Sequence, residues 1–487
     1  MTSTRTRRSV ALSCLIALVA LALSMSTPVP ADASGKSTKD GSGGTAIAHQ
    51  AGAKKVASKD APDARLSRLG VTSGEPTVGV ANNGWVYTSA FQTNTRVLVM
   101  RSKDRGKTWE DVSPNIGGRN THTLSLDPYT WVDNRLGDKD RSRIFTIDLT
   151  VDCSFASFSD DGGESWITNP LACGRPVNDH QTFFGGPPKS STTVGYPNVL
   201  YYCWNDVASS SCGKSLDGGL TWIPAGTPAY TGVNPDDGDF CGGLHGHGYV
   251  DDKGNVYLPR EYCEKASLAI SRDEGVTWED VLVDKKVGHI GGADPSVVVD
   301  KGGNIYYLWI GLDRLPYLAV SKDGGESWSK AMMVAPPGVN EANLPSIDVG
   351  DNGKIALTYM GTENSPNKPM KGDCGGENPP CPQQADYKDT TWHGYMTIST
   401  NALDANPVFY TTTVNDTKDP LLRGTCGPGR CSGRVPGILD FIDIVIDPDG
   451  FVWGAYVDEC TTICVTGGGN MGAEGVIGTL VGGPKLR

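Results

Sequence analysis

Short runs of alternating apolar and polar residues, separated by tight turns, fill the chain from Gly74 onward. Three of them are TVGVANNGWVYTSAF, SVVVDKGGNIYYLWI and SIDVGDNGKIALTYM, each with a glycine-containing turn at its centre. A period of two places successive side chains on opposite faces of a strand, and glycine permits the positive φ of a tight hairpin. The pattern predicts strand–turn–strand units and therefore an all-β protein.

An eight-residue phrase, S-x-D-x-G-x-[ST]-W, divides this pattern five times. Its aspartates are separated by 57, 56, 56 and 50 residues and are Asp104, Asp161, Asp217, Asp273 and Asp323. At least three strands precede a copy of the phrase, and a further apolar run such as WEDVLVD follows it. Four antiparallel strands repeated at roughly 50 residues are typical of a β-propeller blade.

Two further units keep the strand pair but lack the phrase. They are LPSIDVGDNGKIALTYM followed by HGYMTIST, and DFIDIVIDPDGFVWGAYV followed by EGVIGTLVGG. We therefore predict an all-β, seven-bladed β-propeller of four-stranded antiparallel blades, with six blades as the alternative.

The phrase itself is best interpreted as a turn between the third and fourth strands of a blade. Its aspartate can accept backbone N–H bonds, its glycine can take a positive φ, and its tryptophan can pack beneath the turn. We therefore assign the five aspartates a structural role and no chemistry.

The first 33 residues have the layout of a cleaved secretory signal. Arginines at positions 5, 7 and 8 precede an apolar run from Val10 to Leu23, and Ala-Asp-Ala closes the segment. Residues 34–66 are rich in Gly, Ser, Ala and Lys without aromatic residues, so we expect a disordered linker there. Residues 67–487 would then form the propeller. We expect a secreted, extracellular protein without a membrane span.

Cysteine usage agrees with an oxidising compartment. Without Cys14 of the apolar run, the 13 cysteines become 12, and they fall as close neighbours. The pairs are 153/173, 203/212, 241/263, 374/381, 426/431 and 460/464. Six local disulfides are the favoured interpretation. Zinc binding is the alternative, but no C-x-x-C spacing recurs.

The net charge of −12 argues against two classes of partner. Nucleic acids and anionic membrane surfaces attract proteins that carry a clustered excess of Lys and Arg. The chain contains no basic stripe, so we expect neither partner.

The repeated phrase is the Asp box. Five copies at blade-length spacing make residues 70 to 487 resemble the sialidase-like Asp-box (BNR repeat) propeller superfamily. That superfamily includes sialidases, other glycoside hydrolases, polysaccharide lyases and non-catalytic receptors, so the resemblance specifies architecture more than activity.

Part of the chain resembles a particular sialidase unit, although the Arg-Ile-Pro signature of sialidases is absent from the sequence. The run GNVYLPREYCEKASLAISRDEGVTW is similar to the unit whose second strand presents an arginine and a glutamate to the substrate. The resemblance implies substrate binding by Arg260, a catalytic role for Glu261, and Tyr262 as a nucleophile. The two further arginines of a sialidase have three loop candidates: Arg119, Arg423 and Arg434.

Independent candidates come from the propeller geometry, because the innermost strands all start around one end of the central channel. Counting nine residues back from the turn glycine of a unit gives Glu75, His245, Asp294 and Leu344, and the motif LDPYTWVD adds Asp127. Carboxyl groups crowded at one mouth raise one another's pKa, as acid and base catalysis near neutral pH requires. We predict catalytic roles for Glu75, Asp127, Asp294 and His245.

Further polar residues fall near the same place along the strands. They are Asp179 and His180 in NDHQTF, His247 in LHGHGYV, and Asp440 in LDFIDIV. We predict that Asp179, His180 and His247 bind substrate together with Arg260. Purely structural carboxylates, or a ring that holds a divalent cation, are the alternatives. The spacing matches no zinc signature, so we assign no metal ligand and no cofactor.

Three functions fit these observations. The first is a secreted sialidase-like exo-glycosidase, acting as a monomer on glycans. The second is a non-catalytic propeller that binds a glycan or a protein, and the third is a polysaccharide lyase. Product release from glycosides, binding without turnover, and formation of an unsaturated uronate distinguish them.

Overall fold

A computed structural model describes the chain in segments between residues 42 and 487. The described residues are 42–58, 60–92, 96–114, 127–137, 141–149, 154–171, 178–206, 209–233, 238, 241, 244–263, 265–284, 294–367, 384–425, 440–461, 464–467 and 472–487. They contain one 3₁₀ turn, Gln384–Tyr387, and otherwise strands and loops. No helix among them has the length and hydrophobicity of a membrane span.

Four strands precede the first blade. They are β1 (Ser42–Thr45), β2 (Ile47–Gln50), β3 (Lys54–Lys55) and β4 (Asp63–Thr72). The expectation of a disordered linker over residues 34–66 is wrong for the described part of that segment, which contains these strands. Strand β4 alternates buried and exposed positions, with Ala64, Leu66 and Leu69 inside. Backbone pairing to existing sheet edges orders a segment that has no aromatic residue of its own.

The remaining strands follow the repeat. Blade 1 contains β5 (Val78–Val80), β6 (Val86–Gln92), β7 (Arg96–Ser102) and β8 (Glu110–Asp111); blade 2 contains β9 (Tyr129–Asp133), β10 (Arg143–Leu149), β11 (Ser154–Ser159) and β12 (Ile167–Leu171). Blade 3 contains β13 (Asp179–Gly186), β14 (Val199–Asn205), β15 (Ser210–Ser215) and β16 (Ile223–Pro224); blade 4 contains β17 (Tyr249–Val250), β18 (Val256–Tyr262), β19 (Lys265–Ser271) and β20 (Glu279–Asp284). Blade 5 contains β21 (Ser296–Val299), β22 (Ile305–Ile310), β23 (Pro316–Ser321) and β24 (Met332–Met333).

The last two blades have the strand pairs that the sequence predicts without the repeated phrase. Blade 6 contains β25 (Glu341–Val349), β26 (Ile355–Thr362), β27 (Thr391–Ser399) and β28 (Val408–Thr413), and β29 (Leu422–Arg423) pairs with β27. Blade 7 contains β30 (Asp443–Ile446), β31 (Val452–Asp458) and β32 (Glu474–Val481). Its fourth strand is β4, which pairs antiparallel with β32.

The blades close into a ring. In the described residues the strands form seven antiparallel sheets, and each innermost strand contacts the next in the order β5, β9, β13, β17, β21, β25, β30 and again β5. Seven buried apolar clusters lie at the seven seams between neighbouring blades. The predicted all-β propeller with four-stranded antiparallel blades is confirmed, and these sheets number seven.

The N-terminal strands join the first and last parts of the chain. Strand β1 extends blade 7 by pairing with β4, and β2 extends blade 6 by pairing with β28. His49 of β2 is fully buried, stacks on Phe409 and lies 2.8 Å from the hydroxyl of Thr411. The segment therefore covers the outer edges of two adjacent blades.

The five repeated turns lie between the third and fourth strands of blades 1 to 5, as predicted. In blade 2 the Ser165 hydroxyl and backbone N–H both donate to Asp161, and the Ser159 hydroxyl donates to the same carboxylate. The tryptophan of the phrase reaches across the seam: Trp166 donates from its indole N–H to the carbonyl of Val112 in blade 1. The tryptophan of the phrase thus helps to join neighbouring blades.

These turns predict a loss of stability in acid. The hydrogen bonds donated by Ser165 lower the pKa of Asp161 to about 2, and those donated by Ser327 do the same for Asp323. In the unfolded chain an aspartate has a pKa of about 3.9. The stabilisation is therefore fully present above about pH 4 and is lost as the pH falls through about 2. We expect the melting temperature to fall between pH 4 and pH 2.

The variant Asp161→Asn provides the comparison, because its amide does not titrate. Its melting temperature should be lower than that of the wild type at neutral pH, and the difference should shrink in acid. A difference that stays constant over this range would contradict the assignment. Asp351→Asn is the control for removal of one charge, because this exposed carboxylate forms an ion pair with Lys354.

Three of the six predicted disulfides lie in the described residues and are confirmed. They are Cys203–Cys212, Cys241–Cys263 and Cys460–Cys464. The other three pairs lie outside the described residues. Cys203 and Cys212 face each other across β14 and β15, so this bond joins strands that the sheet already pairs.

Candidate functional site at the channel mouth

The polar residues chosen by register meet at the end of the channel where the innermost strands begin. Glu75 and Asp127 precede β5 and β9, His180 lies at the start of β13, and Asp294 precedes β21. Glu75 and His180 have φ angles of 45° and 47°, in the left-handed region that residues other than glycine rarely adopt. Strained backbone of this kind concentrates at functional sites.

Glu75 and Asp127 form a buried carboxyl pair. Their side chains are hydrogen-bonded to each other, and such a bond requires one shared proton. Burial raises the pKa of Asp127, and the nearby Asp440 adds to this effect. The Asp440 backbone N–H donates to Glu75 Oε1 over 3.0 Å. Burial therefore favours a protonated pair in a position shielded from water, although the Glu75 hydrogen bond and the charge of His180 act in the opposite direction on the pKa of Asp127.

His180 links this pair to a third carboxylate. Its backbone N–H donates to Asp127 Oδ2 at 2.7 Å, and its Nε2 lies 2.9 Å from Asp294 Oδ2. Burial opposes the charge on the ring, but the carboxylates of Asp294, Asp440 and Asp127 raise the pKa of His180 to about 9. At neutral pH His180 is therefore an imidazolium held between carboxylates from three other blades.

His245 has the opposite ionisation state although it is close to His180. Their ring centroids are 5.9 Å apart, and burial together with the charge of His180 lowers the pKa of His245 well below 6.5. Its Nδ1 lies 3.1 Å from the carbonyl of Gly246 and therefore carries the proton that it donates there. Its buried Nε2 is left as an acceptor without a partner in the described residues.

The glycines of LHGHGYV allow this strand to approach its neighbours. A Cβ on Gly246 would overlap the carbonyl oxygen of Pro295, and a Cβ on Gly248 would overlap the ring of Phe184. Because the inner strands approach one another closely, His245 and His247 reach the mouth. His247 packs edge-on against Tyr129 and lies 3.5 Å from Asp443.

Phe441 and Asp443 belong to this mouth but were missed by the sequence analysis. The ring of Phe441 packs against both His180 and His247, with centroids 5.3 and 5.2 Å apart. A signal for Phe441 was present, since Gly450 is the turn glycine of blade 7 with φ of 82° and Phe441 stands nine residues before it. Asp443 sits on β30 and accepts the backbone N–H of Val78 in blade 1.

The residues named by resemblance lie on the neighbouring β18 strand. Arg260 is buried beside the rings of Tyr230 and Tyr262, and it donates to the Ser210 hydroxyl at 3.1 Å. The backbone of Arg260 pairs with that of His245 in an isolated antiparallel β-bridge, and its side chain interacts electrostatically with Asp294. Arg260 therefore adjoins the mouth. Burial lowers the pKa of its guanidinium below the usual value of an arginine.

Tyr262 and Glu261 follow Arg260 on β18. The Tyr262 hydroxyl donates to the carbonyl of Val233 at 2.9 Å. Glu261 is largely buried and interacts electrostatically with Arg260. Asp179 is half-buried at the first position of β13, opposite Asn205 of β14.

Of the loop arginines, Arg423 donates to the carbonyl of Cys464. Arg119 and Arg434 lie outside the described residues. Among the residues that are described, no group of three or more His, Cys, Asp or Glu side chains has the geometry to hold a metal ion.

The mouth therefore combines three chemical capacities. The Glu75–Asp127 pair can release a proton, while the Asp294 carboxylate keeps 11% of its side-chain surface exposed and can meet a ligand. The neutral His245 supplies a hydrogen-bond acceptor. A protonated carboxyl group near an ionised one is a pair that many enzymes use for acid–base catalysis of hydrolysis.

No family model matches the chain, and no curated protein matches it. Among solved structures, a protein of unknown function from Dyadobacter fermentans DSM 18053 is 14% identical with a TM-score of 0.41, over 87% of this chain and 98% of that one. The Hadza microbial sialidase Hz136 is 16% identical with a TM-score of 0.39, over 59% of this chain and 63% of that one. The Aleuria aurantia lectin is 12% identical with a TM-score of 0.39, over 60% and 93%. At these identities the function has to be argued from the residues of the mouth.

Proposed function

We propose that the protein is a secreted glycoside hydrolase that acts on glycans at the channel mouth. The observation that carries the proposal is the Glu75–Asp127 carboxyl pair, which shares a proton and is linked through His180 to the Asp294 carboxylate. Glycoside hydrolysis in most enzymes uses one protonated and one ionised carboxyl group on either side of the scissile bond.

Asp127 is the general acid in this proposal. Burial raises its pKa, which favours the protonated form that a general acid needs. It would transfer that proton to the oxygen of the leaving sugar. Before the transfer, Glu75 holds the acid in position through its hydrogen bond to Asp127, and Glu75 itself is fixed by the backbone N–H of Asp440. The bond between the two carboxyl groups is lost when the proton leaves, and it forms again when the pair takes up a proton from water.

Asp294 stabilises the positive charge that develops on the sugar ring. It is the carboxylate in contact with His180, and its partial exposure allows it to face a bound sugar. In the same step it accepts the proton of the attacking water, so that hydrolysis leaves both products neutral at the cleaved bond. His180, through the ion pair, fixes the orientation of Asp294.

The repeated S-x-D-x-G-x-[ST]-W turns on a propeller of this size support membership of the Asp-box superfamily. Sialidase activity in particular would require Arg260 to grip a sugar carboxylate. Its guanidinium is instead buried against two tyrosine rings and the Ser210 hydroxyl. We therefore propose glycoside hydrolysis as the reaction class and do not rest it on sialic acid.

The test is a panel of fluorogenic aryl glycosides that includes sialosides, neutral sugars and amino sugars. We expect release of the fluorophore from at least one member, and we expect Asp294→Asn to slow that release by about 100-fold or more. Binding of glycans without release from any substrate would support a non-catalytic propeller and overturn the proposal. A rise in ultraviolet absorbance with uronate polymers would indicate a lyase instead.

A further inference from the structure

Among the described residues, the channel mouth holds more acidic than cationic side chains. Glu75, Asp127, Asp294, Asp440 and Asp443 lie there, together with two cationic side chains, those of His180 and Arg260. Even with one proton shared by the Glu75–Asp127 pair, the described carboxyl groups outnumber the described cationic side chains. Unbalanced charge in a buried site is costly unless an occupant compensates for it.

A second observation comes from the histidines rather than the acids. His245 is fully buried, and its Nδ1 proton is donated to the carbonyl of Gly246. The remaining nitrogen, Nε2, is therefore an acceptor, and it has no partner in the described residues. The Nε2 atom of His247 is likewise buried and without a partner there. A buried acceptor without a donor costs about 1–3 kcal/mol unless a ligand supplies one.

The positive groups described near the mouth already contact protein groups. The guanidinium of Arg260 contacts Tyr230, Tyr262 and the Ser210 hydroxyl, and Nε2 of His180 contacts Asp294. Nδ1 of His180 has no partner in the described residues and can donate to a sugar hydroxyl. A ligand carboxylate at these cations would also lie beside the protein's own acids, which would repel it. A ligand that brings N–H donors and a positive charge would satisfy both the acids and the free imidazole nitrogens.

We propose that the site selects a sugar that carries a protonated amino group, such as a glucosamine unit, over acetylated or carboxylated sugars. The ammonium group is placed among the mouth carboxylates, and one of its N–H bonds is directed to His245 Nε2. This inference rests on the proposed function for its location and reaction. It differs from that function in naming the chemical class of the ligand.

Binding and turnover are measured separately so that the two proposals can fail separately. The ligands are glucosamine tetramers, the N-acetylated tetramers, and sialylated or uronate oligosaccharides of similar length, titrated calorimetrically into the full chain. We expect the glucosamine tetramer to bind at least about tenfold more tightly than the others, and its binding to weaken as salt is added. Equal or tighter binding of the acetylated or carboxylated ligands would overturn the inference.

Turnover of a neutral or acidic glycoside without amine binding would leave the proposed function standing and remove the inference. Binding of the amine without turnover of any glycoside would overturn the proposed function and leave the binding preference standing. Neither result depends on the other assay.

Two matched pairs of variants test the residues. Asp440→Asn removes a mouth carboxylate and should weaken glucosamine binding several-fold, whereas Asp351→Asn removes an exposed carboxylate elsewhere and should not. His245→Asn keeps a donor near the Nδ1 position but loses the Nε2 acceptor, and it should weaken binding about tenfold. His245→Gln places an amide near the Nε2 position and should restore part of the affinity.

Melting curves are recorded for all four variants. Full amine affinity in a folded His245→Asn protein would contradict the role given to Nε2. If that variant does not fold, the Asp440→Asn and Asp351→Asn pair decides, and equal affinities for the amine in that pair would overturn the inference.

Discussion

Replacement of Asp127 by asparagine lowers the kcat of glycoside hydrolysis by about 10²- to 10⁴-fold, the range that loss of a general acid produces. The amide oxygen can still accept the His180 backbone N–H that Asp127 Oδ2 accepts now, so the local backbone is retained. The amide cannot supply an acidic proton to the leaving oxygen. Steady-state kinetics on the best substrate of the glycoside panel measure the effect, with KM changed much less than kcat.

The matched control is Asp133→Asn, since Asp133 is as deeply buried as Asp127 but serves structure alone. It accepts hydrogen bonds from the Tyr196 hydroxyl and the Asn198 amide at the end of β9, away from the carboxyl pair. We expect this variant to lose stability and to keep its kcat at temperatures where it is folded. An Asp127→Asn enzyme with unchanged kcat would remove Asp127 from the reaction.

A variant that begins at Ser73 loses cooperative folding, because it lacks the strand that completes blade 7. Strand β4 buries Ala64, Leu66 and Leu69, and each large apolar side chain contributes about 1.5–3 kcal/mol when buried. Removal of Arg68 also leaves Asp458 buried without its ion pair of 2.8 Å, at a cost of about 3–5 kcal/mol. Together these losses approach the whole stability of a typical domain.

The control variant begins at Ala61 and therefore keeps β4 while losing β1, β2 and β3. It should fold into the same ring, with a lower melting temperature because the edge of β28 and the Phe409 ring lose their cover from His49. Calorimetric unfolding compares the two variants with the full chain. A sharp transition at the wild-type temperature in the variant that starts at Ser73 would show that β4 is dispensable.

Much of the fold could be predicted because its cause is local. The turn glycine and the aspartate of each phrase act within a few residues of one another, as the bonds from Ser159 and Ser165 to Asp161 illustrate. Because such contacts are local, the same residue types recur at the same positions of the phrase. The strand pair of blade 6, which lacks the phrase, was still recognisable from its period of two.

The candidate site could be predicted only in part. Counting back from the turn glycine predicts that Glu75, His245 and Asp294 lie at one end of the channel. In the structure, contacts through His180 join Asp127 to Asp294. The catalytic roles given to these residues remain predictions. The role of Tyr262 also remains a prediction, and its hydroxyl contacts Val233.

Repetition, strand period and cysteine spacing together were sufficient to predict an all-β propeller with local disulfides, because each depends on neighbours along the chain. The partner of β32 was not predictable in this way, since β4 lies about 400 residues earlier and pairs through backbone groups that every residue possesses. The same holds for ionisation at the mouth. His180 carries a proton and His245 does not, although both are buried histidines, because His180 lies among carboxylates from other blades and His245 beside the resulting charge. Only the closed ring sets those distances.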